Sequence, residues 1–389
     1  MKSACVRPAK PVLFLLNSLT GGGSQRKTIR VANALVDEGY SVLLYYLDRR
    51  EELLPSLRPS PRLHIECLDR AGRFDYRAMN RFRRRVSESP DAAIVAINPY
   101  QVFFAARSLR GSRRDCGFIA ATNTYTFASR KEAFLFHVFE KRPYRDADVV
   151  LFGSHAQKTL WCRSYSIDPE RATVIYNGVD VDYFSPDAVE PPRASRTADD
   201  ALTIIVVASL TPHKRHVDVL EAVRLLRTRS REISVVFAGD GPLASFIADR
   251  TRGMGLGDRV TFTGFVHDVR PLLKRADVAV LASNAVETFS NAILESMAMG
   301  KPVIASNIGG AAEQISDGVN GLLFEAGNVV ELADCIDRMY DREFRLQAGA
   351  ASRRSAVERF GLDKMVASYK QLLSQASLEH GIGDDAGLP

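Results

Sequence analysis

Short apolar runs alternate with helix-length segments along nearly the whole chain, and this rhythm is interrupted once. Before the interruption, strands are expected over 12–16, 41–46, 93–96, 118–121, 149–152 and 173–175, with helices between them over 24–37, 76–87, 131–141 and 156–162. A strand covered by helices on both faces is apolar throughout rather than alternating, so this pattern calls for parallel sheets. Residues 185–202, SPDAVEPPRASRTADDAL, have no apolar period and the Pro, Ala, Ser and charge content of a linker. The alternation then restarts, with strands expected over 203–207, 234–238, 260–263, 278–282, 302–305 and 321–324 and helices over 216–227, 243–254, 291–299 and 328–340. The chain, at 389 residues too long for one comfortable core, is therefore expected to be α/β, with two Rossmann-like doubly wound domains facing each other across a cleft. In that arrangement the carboxyl ends of both sheets address one ligand. The expected boundaries are 1–185 for the first domain, 186–202 for the linker and 203–360 for the second domain. A C-terminal helix over 361–378 is expected to pack back towards the first domain, and 379–389 to form a flexible tail.

Several classes of function are set aside by composition. The five cysteines, Cys5, Cys67, Cys116, Cys162 and Cys335, are scattered and never spaced as CxxC, which argues against a disulfide framework or a zinc site. His213 and His216 form an H-x-x-H without further ligands and are expected to be surface groups. The apolar run 12–16 ends at Asn17 and meets Gly21-Gly22-Gly23, which fits a first strand feeding a glycine loop better than a signal peptide. No stretch approaches the roughly 18 apolar residues of a membrane span, and a cytoplasmic protein, at most peripheral at the inner face of a membrane, is expected. The first 185 residues carry 29 Lys and Arg against 19 Asp and Glu, whereas the remainder carries 23 against 27. That asymmetry makes a positive field that suits anionic lipid headgroups or phosphorylated lipid carriers, and its densest cluster, Arg81, Arg83, Arg84 and Arg85 on one helix, reads equally as a solvated helix face or as a contact with an anionic membrane surface. No recognition motif for nucleic acid accompanies the charge.

The segment Glu287-Thr-Phe-Ser-Asn-Ala-Ile-Leu-Glu295 carries the most chemistry. It follows a strand and a short loop, so it lies at a strand's carboxyl end. Ser290 is a suitable N-cap for a helix that Gly300 and Pro302 terminate. A helix start presents unpaired N–H groups and partial positive charge, a seat for a diphosphate that Ser290 and Asn291 would form. Glu295, about one turn inside, is placed to accept hydrogen bonds from a ribose diol.

With this segment in place, the chain resembles the GT-B-fold retaining glycosyltransferases of family four, also called group 1. Their signature is Glu, seven residues, Glu in this strand–loop–helix setting. The resemblance extends through Gly21-Gly22-Gly23, Tyr176-Asn177-Gly178-Val179-Asp180, Leu210-Thr-Pro-His-Lys214, Ala238-Gly-Asp-Gly-Pro242, Gly264-Phe265-Val266, Gly300-Lys-Pro-Val303, Ile308-Gly-Gly310 and Asp317-Gly-Val-Asn-Gly321. It implies transfer of a sugar from a UDP- or GDP-sugar to a hydroxyl of a glycan or lipid-linked acceptor, as in polysaccharide biosynthesis. The nucleotide sugar is then a co-substrate, and neither cofactor nor metal is needed.

The resemblance also assigns roles. Glu287 orients the sugar, and Lys214 pairs with the diphosphate and steadies the leaving group. Gly22 and Gly23 bring the first domain's backbone near the donor, Phe289 shapes the sugar end, and Val266 meets the base by its backbone. Ser209 stands where the family usually has Arg, and Arg215, where it often has Gly, is expected to compensate. Asn123 in Ala120-Ala-Thr-Asn-Thr124 occupies a segment that commonly supplies a His, and remains a sugar or acceptor contact. Asp180-Val-Asp182 is read as part of a turn rather than a metal motif. Two rival functions are a GT-B-fold nucleotide-sugar epimerase and a non-catalytic scaffold, the latter suggested by Ser209 and the missing His.

Overall fold

The computed structural model describes residues 10–111, 117–125, 130–190, 202–285 and 287–378. Cys5, Cys116, most of the expected linker and the expected tail 379–389 lie outside these. The chain divides into two compact units. One holds the residues up to Tyr176 together with those from Met365 onward, and the other holds Asn177–Lys364.

The first unit is built on strands β1 (Val12–Leu16), β2 (Val42–Tyr46), β3 (Leu63–Cys67), β4 (Ala93–Ile97), β5 (Phe118–Thr122), β6 (Val149–Phe152) and β7 (Ala172–Val174). Their order is β3-β2-β1-β4-β5-β6-β7, every pair parallel. All five residues of β1, β4 and β5 are buried, as strands covered on both faces require. Helix Gly23–Asp37 follows β1, and helix Pro99–Ser108 follows β4. Under the β5–β6 side the core is aromatic: Trp161 is fully buried among Phe136, Tyr144, Phe152 and Tyr165. The last helix, Leu362–Leu378, reaches this unit, where Lys370 pairs with Glu38 at 2.8 Å and Tyr369 packs near the buried ammonium of Lys27.

The second unit repeats the plan with β8 (Leu202–Val207), β9 (Ile233–Ala238), β10 (Val260–Gly264), β11 (Val278–Leu281), β12 (Val303–Ser306) and β13 (Gly321–Phe324), ordered β10-β9-β8-β11-β12-β13 and again parallel. The strand order reverses direction between β8 and β11, which is where an open α/β sheet leaves a crevice outside its carboxyl ends.

Residues 177–185 belong to the second unit, not to the first as the sequence suggests. The backbone gives the reason: Val179 N–H donates to Phe360 O and Leu362 N–H to Val179 O, both at 2.9 Å. Arg353 then fastens the same segment, donating to the carbonyls of Val181, Phe184 and Ala298.

Candidate active site

The switch point between β8 and β11 carries the two loops that the sequence singles out. After β8 the chain runs through exposed Ser209 into a 3-10 turn, Pro212–Lys214, and then into helix His216–Thr228. Arg215 joins turn to helix with φ 49°, a left-handed conformation that suits glycine far better than a residue with a Cβ. Its guanidinium is not directed to an external anion in this structure. It forks onto the buried Asp218 carboxylate at 2.9 and 2.7 Å. Two of its five N–H donors are thus taken by an intramolecular partner, and the side chain remains exposed.

After β11 the chain forms the loop that carries Glu287 and ends at helix Asn291–Ala298. Ser290 is the N-cap, its hydroxyl accepting from the N–H of Ile293. The first N–H groups of that helix, on Asn291 and Ala292, are those for which a helix has no acceptor of its own. Glu295 lies one turn in and is half-buried.

Lys214 and Glu287 meet. The lysine ammonium hydrogen-bonds Glu287 Oε1, and the Ser283 hydroxyl donates to the same oxygen at 3.0 Å. The side chains are 24% and 13% exposed, so the pair is mostly withdrawn from water but still open at one side. Burial lowers the Lys214 pKa to about 8. The carboxylate against it works in the opposite direction and favours the charged amine near neutral pH. His216, expected at the surface, is instead 2% exposed, its ring edge-on to Phe237, and neither ring nitrogen has a partner. Burial, and secondly the charge on Lys214, lower its pKa to about 4, so a neutral imidazole lies behind the lysine.

The Glu287 loop is pinned from several elements. Asn284 N–H donates to His213 O at 3.0 Å, tying it to the β8 loop. Ser306 at the end of β12 donates its hydroxyl to Ser283 O. Asn177 donates to Phe289 O at 2.8 Å, and Gly310 N–H to Thr288 O at 2.9 Å. Gln314 grips Ser290 on both sides, accepting from its N–H at 3.0 Å and donating to its C=O at 2.9 Å. Gly309, with φ 55°, lies so close that a Cβ on it would sit 1.6 Å from Glu287 O. Only a residue without a Cβ allows the loop to lie where it does. Of these supports, Asn177, Ser283, Ser306 and Gln314 carried no role in the sequence reading. Gly309 was visible only as part of a glycine pair.

Phe289, expected to shape the sugar end, turns its ring inward. The side chain is 5% exposed and packs edge-on to Phe360 at 5.5 Å, in the interior of its own unit. Val266, half-buried, follows β10. In the first unit, Gly22 is the N-cap of helix Gly23–Asp37 and both glycines are exposed at the carboxyl end of β1. Asn123 follows β5 at the same edge of that sheet, its N–H held by Asn98 Oδ1 at 3.0 Å. The Asp180 carboxylate accepts from the N–H groups of Asp182 and Tyr183, an Asx turn. Among the described residues no cluster of three or more His, Cys, Asp or Glu side chains is arranged to hold a metal.

Comparison with known proteins bears on the family and the fold. A family model for glycosyl transferases group 1 matches residues 190–355, and one for glycosyltransferase family 4 matches residues 21–183. N-acetyl-alpha-D-glucosaminyl L-malate synthase of Bacillus anthracis is 30% identical over 200 residues, 51% of this chain and 52% of that protein. D-inositol 3-phosphate glycosyltransferase of Stackebrandtia nassauensis is 25% identical over 366 residues, covering 85% of this chain and 82% of that protein. The match thus spans about half the length of the first relative and about four-fifths of the second. Among solved structures, Anabaena HepE in complex with UDP superposes with a TM-score of 0.76 at 22% identity, covering 94% of this chain and all of HepE. Sucrose-phosphate synthase of Thermosynechococcus elongatus gives 0.77 at 20% identity, covering 94% and 98%. Two parallel-sheet units of this topology, matched end to end by GT-B structures and by both family models, establish that the chain belongs to the group 1, family 4 glycosyltransferases.

Proposed function

We propose that this chain transfers a sugar from a nucleoside diphosphate sugar to a hydroxyl of a glycan or lipid-linked acceptor, with retention at the anomeric carbon and without a metal. The observation that carries the reading is the Lys214–Glu287 pair at the β8/β11 switch point, beside the capped start of helix Asn291–Ala298. A single cation next to a helix start suits a diphosphate, whose charge grows as it departs. In the proposed step the bond from the anomeric carbon to the β-phosphate oxygen breaks. The acceptor oxygen bonds to that carbon on the same face, and the acceptor proton passes to the departing phosphate. Lys214 balances the new charge, Glu287 holds a sugar hydroxyl, and Glu295 the ribose diol. Phe289 contributes through its backbone, held by Asn177, rather than its ring. Gly22, Gly23 and Asn123, at the carboxyl edge of the first unit's sheet, keep their proposed roles as donor and acceptor contacts. UDP is the nucleotide to try first, given the HepE complex. The reading includes work at an anionic membrane surface, in keeping with the basic first half of the chain.

The test is incubation with labelled UDP- and GDP-sugars, with and without acceptor pools and with chelator. Acceptor-dependent transfer with unchanged anomeric configuration, insensitive to chelation, is the expected result. Isomerised sugar without acceptor would indicate an epimerase, and donor binding without turnover a scaffold.

A further inference from the structure

The basic helix that the sequence nominates as a membrane-facing surface is largely committed elsewhere. Arg81 donates to the carbonyls of Leu68 and Asp69, Arg83 to Ser108 O at 2.6 Å, and Arg85 binds Glu66 and Glu88. Three of those four guanidinium groups therefore hold neighbouring backbone and acids of their own unit.

A different face has the character of an interface. Every large apolar side chain that the first unit exposes, among its described residues, falls in one of two segments: Phe74 and Tyr76, or Phe134, Val138 and Phe139. The segments touch, with Phe74 edge-on to Phe139 at 5.9 Å and to Phe103 at 6.0 Å. Beside this patch opens a cavity of about 440 Å³ floored by Phe103, Leu109, Phe118, Phe139 and Pro143. That volume is within the range of small-molecule sites. Three arginines line it as well: Arg107, Arg110 and Arg142. Arg107 and Arg110 are exposed and have no ion-pair partner among the described residues. The only acid among the described lining residues, Asp146, pairs with Arg142 at 3.4 Å.

The cavity is distinct from the sugar-transfer edge of the same unit. Phe118, in its lining, begins β5, and Asn123 follows the other end of that strand. Five residues of strand separate the two by about 16 Å. An apolar hollow with exposed guanidinium groups in its lining and exposed aromatics beside it matches an amphiphile with one anionic head. Guanidinium binds phosphate with two parallel hydrogen bonds, and aromatic side chains favour the headgroup level of a bilayer. We propose that this cavity binds an anionic phospholipid of a membrane surface, its phosphate on Arg107 and Arg110 and one acyl chain on the Phe103–Phe118 floor. The inference rests on the membrane part of the reading above and supplies its site.

The test uses the full chain and vesicle flotation, with phosphatidylcholine vesicles containing or lacking phosphatidylglycerol. Wild type should float only with the phosphatidylglycerol vesicles. Each arginine near an anionic surface is worth about five-fold in partitioning, so the R107A/R110A double variant should bind about 25-fold more weakly, and Val138→Glu should also release the protein. Arg84→Ala, an exposed arginine outside the cavity, should lose no more than about five-fold. Binding of UDP and transfer to a soluble acceptor should be unchanged in all of them, which shows that the variants fold. Free inorganic phosphate should not displace the protein beyond sodium chloride of equal ionic strength; if it does, the site reads phosphate and not lipid. If wild type ignores phosphatidylglycerol, the membrane reading itself falls. If wild type floats and the variants float equally well, only the cavity assignment falls. A monomer–dimer equilibrium in sedimentation that these substitutions abolish would overturn it in favour of a second copy of the chain.

Discussion

Replacing Lys214 by alanine, and separately by arginine, probes the switch-point site through the pH dependence of nucleotide binding. In wild type the ammonium is held near a pKa of about 8, because burial opposes charge. In the proposed role the diphosphate pairs with the charged amine, so affinity should be constant below pH 7 and fall as the proton leaves. The apparent Kd should be weaker by about two-fold at pH 8 and about ten-fold at pH 9, since only the protonated fraction binds. Arginine stays charged throughout this range. The Lys214→Arg protein should therefore lose the alkaline limb even if its longer fork binds less well at neutral pH. Any titration of the nucleotide itself is common to both proteins, so the difference between the curves isolates Lys214.

Lys214→Ala should give a flat curve displaced upward. Loss of a charge-assisted hydrogen bond costs about 1.5–3 kcal/mol, or about 10- to 150-fold in Kd. The structure argues for the upper half of that range. The substitution also leaves the Glu287 carboxylate, 13% exposed and otherwise bonded to the Ser283 hydroxyl, without its cation and close to an incoming anion. Adding Glu287→Gln to Lys214→Ala should then recover part of the loss, a coupling of about 1 kcal/mol or more. Isothermal titration of UDP between pH 6.5 and 9.5 (values chosen to span the two sides of about pH 8) reads all four proteins. Equal affinity across that span in wild type, or an alkaline limb that persists in Lys214→Arg, would refute the role.

Three further outcomes follow from residues that surround the same pair. Gly309→Ala should cut transfer by about 100-fold through displacement of Glu287, whereas Gly318→Ala, also at positive φ but facing open space, should cost only about 1 kcal/mol of stability and little activity. Gln314→Leu leaves the N–H of Ser290 buried without a partner, while its C=O keeps the N–H of Leu294 at 3.3 Å, and should destabilise the second unit by about 1–3 kcal/mol in urea unfolding; a loss below about 0.5 kcal/mol would mean that water replaces the amide. His216 binds its proton less readily in the folded chain than in the unfolded one, about 4 against 6.5, so the unfolded state holds more protons between those values and stability falls as pH drops through them. His216→Leu should remove about 3 kcal/mol of that acid sensitivity, and parallel stability–pH curves for the two proteins would contradict it.

The sheets were legible because each central strand is a short apolar run that needs no partner to be recognised; β1, β6 and β13 begin and end where the sequence places them. Elements whose burial is partial or built from small side chains were not. Strand β3, Leu-His-Ile-Glu-Cys at the sheet edge, shows one face to solvent and mixes polar with apolar residues, so it carries no continuous run. Helix Arg342–Phe360 buries Ala348, Gly349, Ala351, Ser352 and Ala356 rather than a stripe of large residues, and Gly349 approaches Gly300 O closely enough that a Cβ there would sit at 2.5 Å. A helix that packs by closeness rather than by bulk has little hydrophobic period to detect.

The same division runs through the site. Glu287, Ser290 and Glu295 were readable because a strand end, a cap and one helical turn place them within a single stretch of chain, and Lys214 because it closes the equivalent loop of a neighbouring strand. The packing of the Phe289 ring was not readable because a loop sequence does not say which residues turn inward, and Phe360, which receives the ring, lies in another helix. Asn177 holds the Phe289 carbonyl from 112 residues away, and Gln314 holds Ser290 from 24. Such contacts have no local signature, since a polar side chain looks the same in sequence whether it faces water or satisfies a buried amide. What the motif displays is therefore the set of groups offered to a ligand. What fixes their geometry to within the fraction of an ångström that transfer needs is a ring of distant partners, and Gly309, visible as a residue but not for its reason, belongs to that ring.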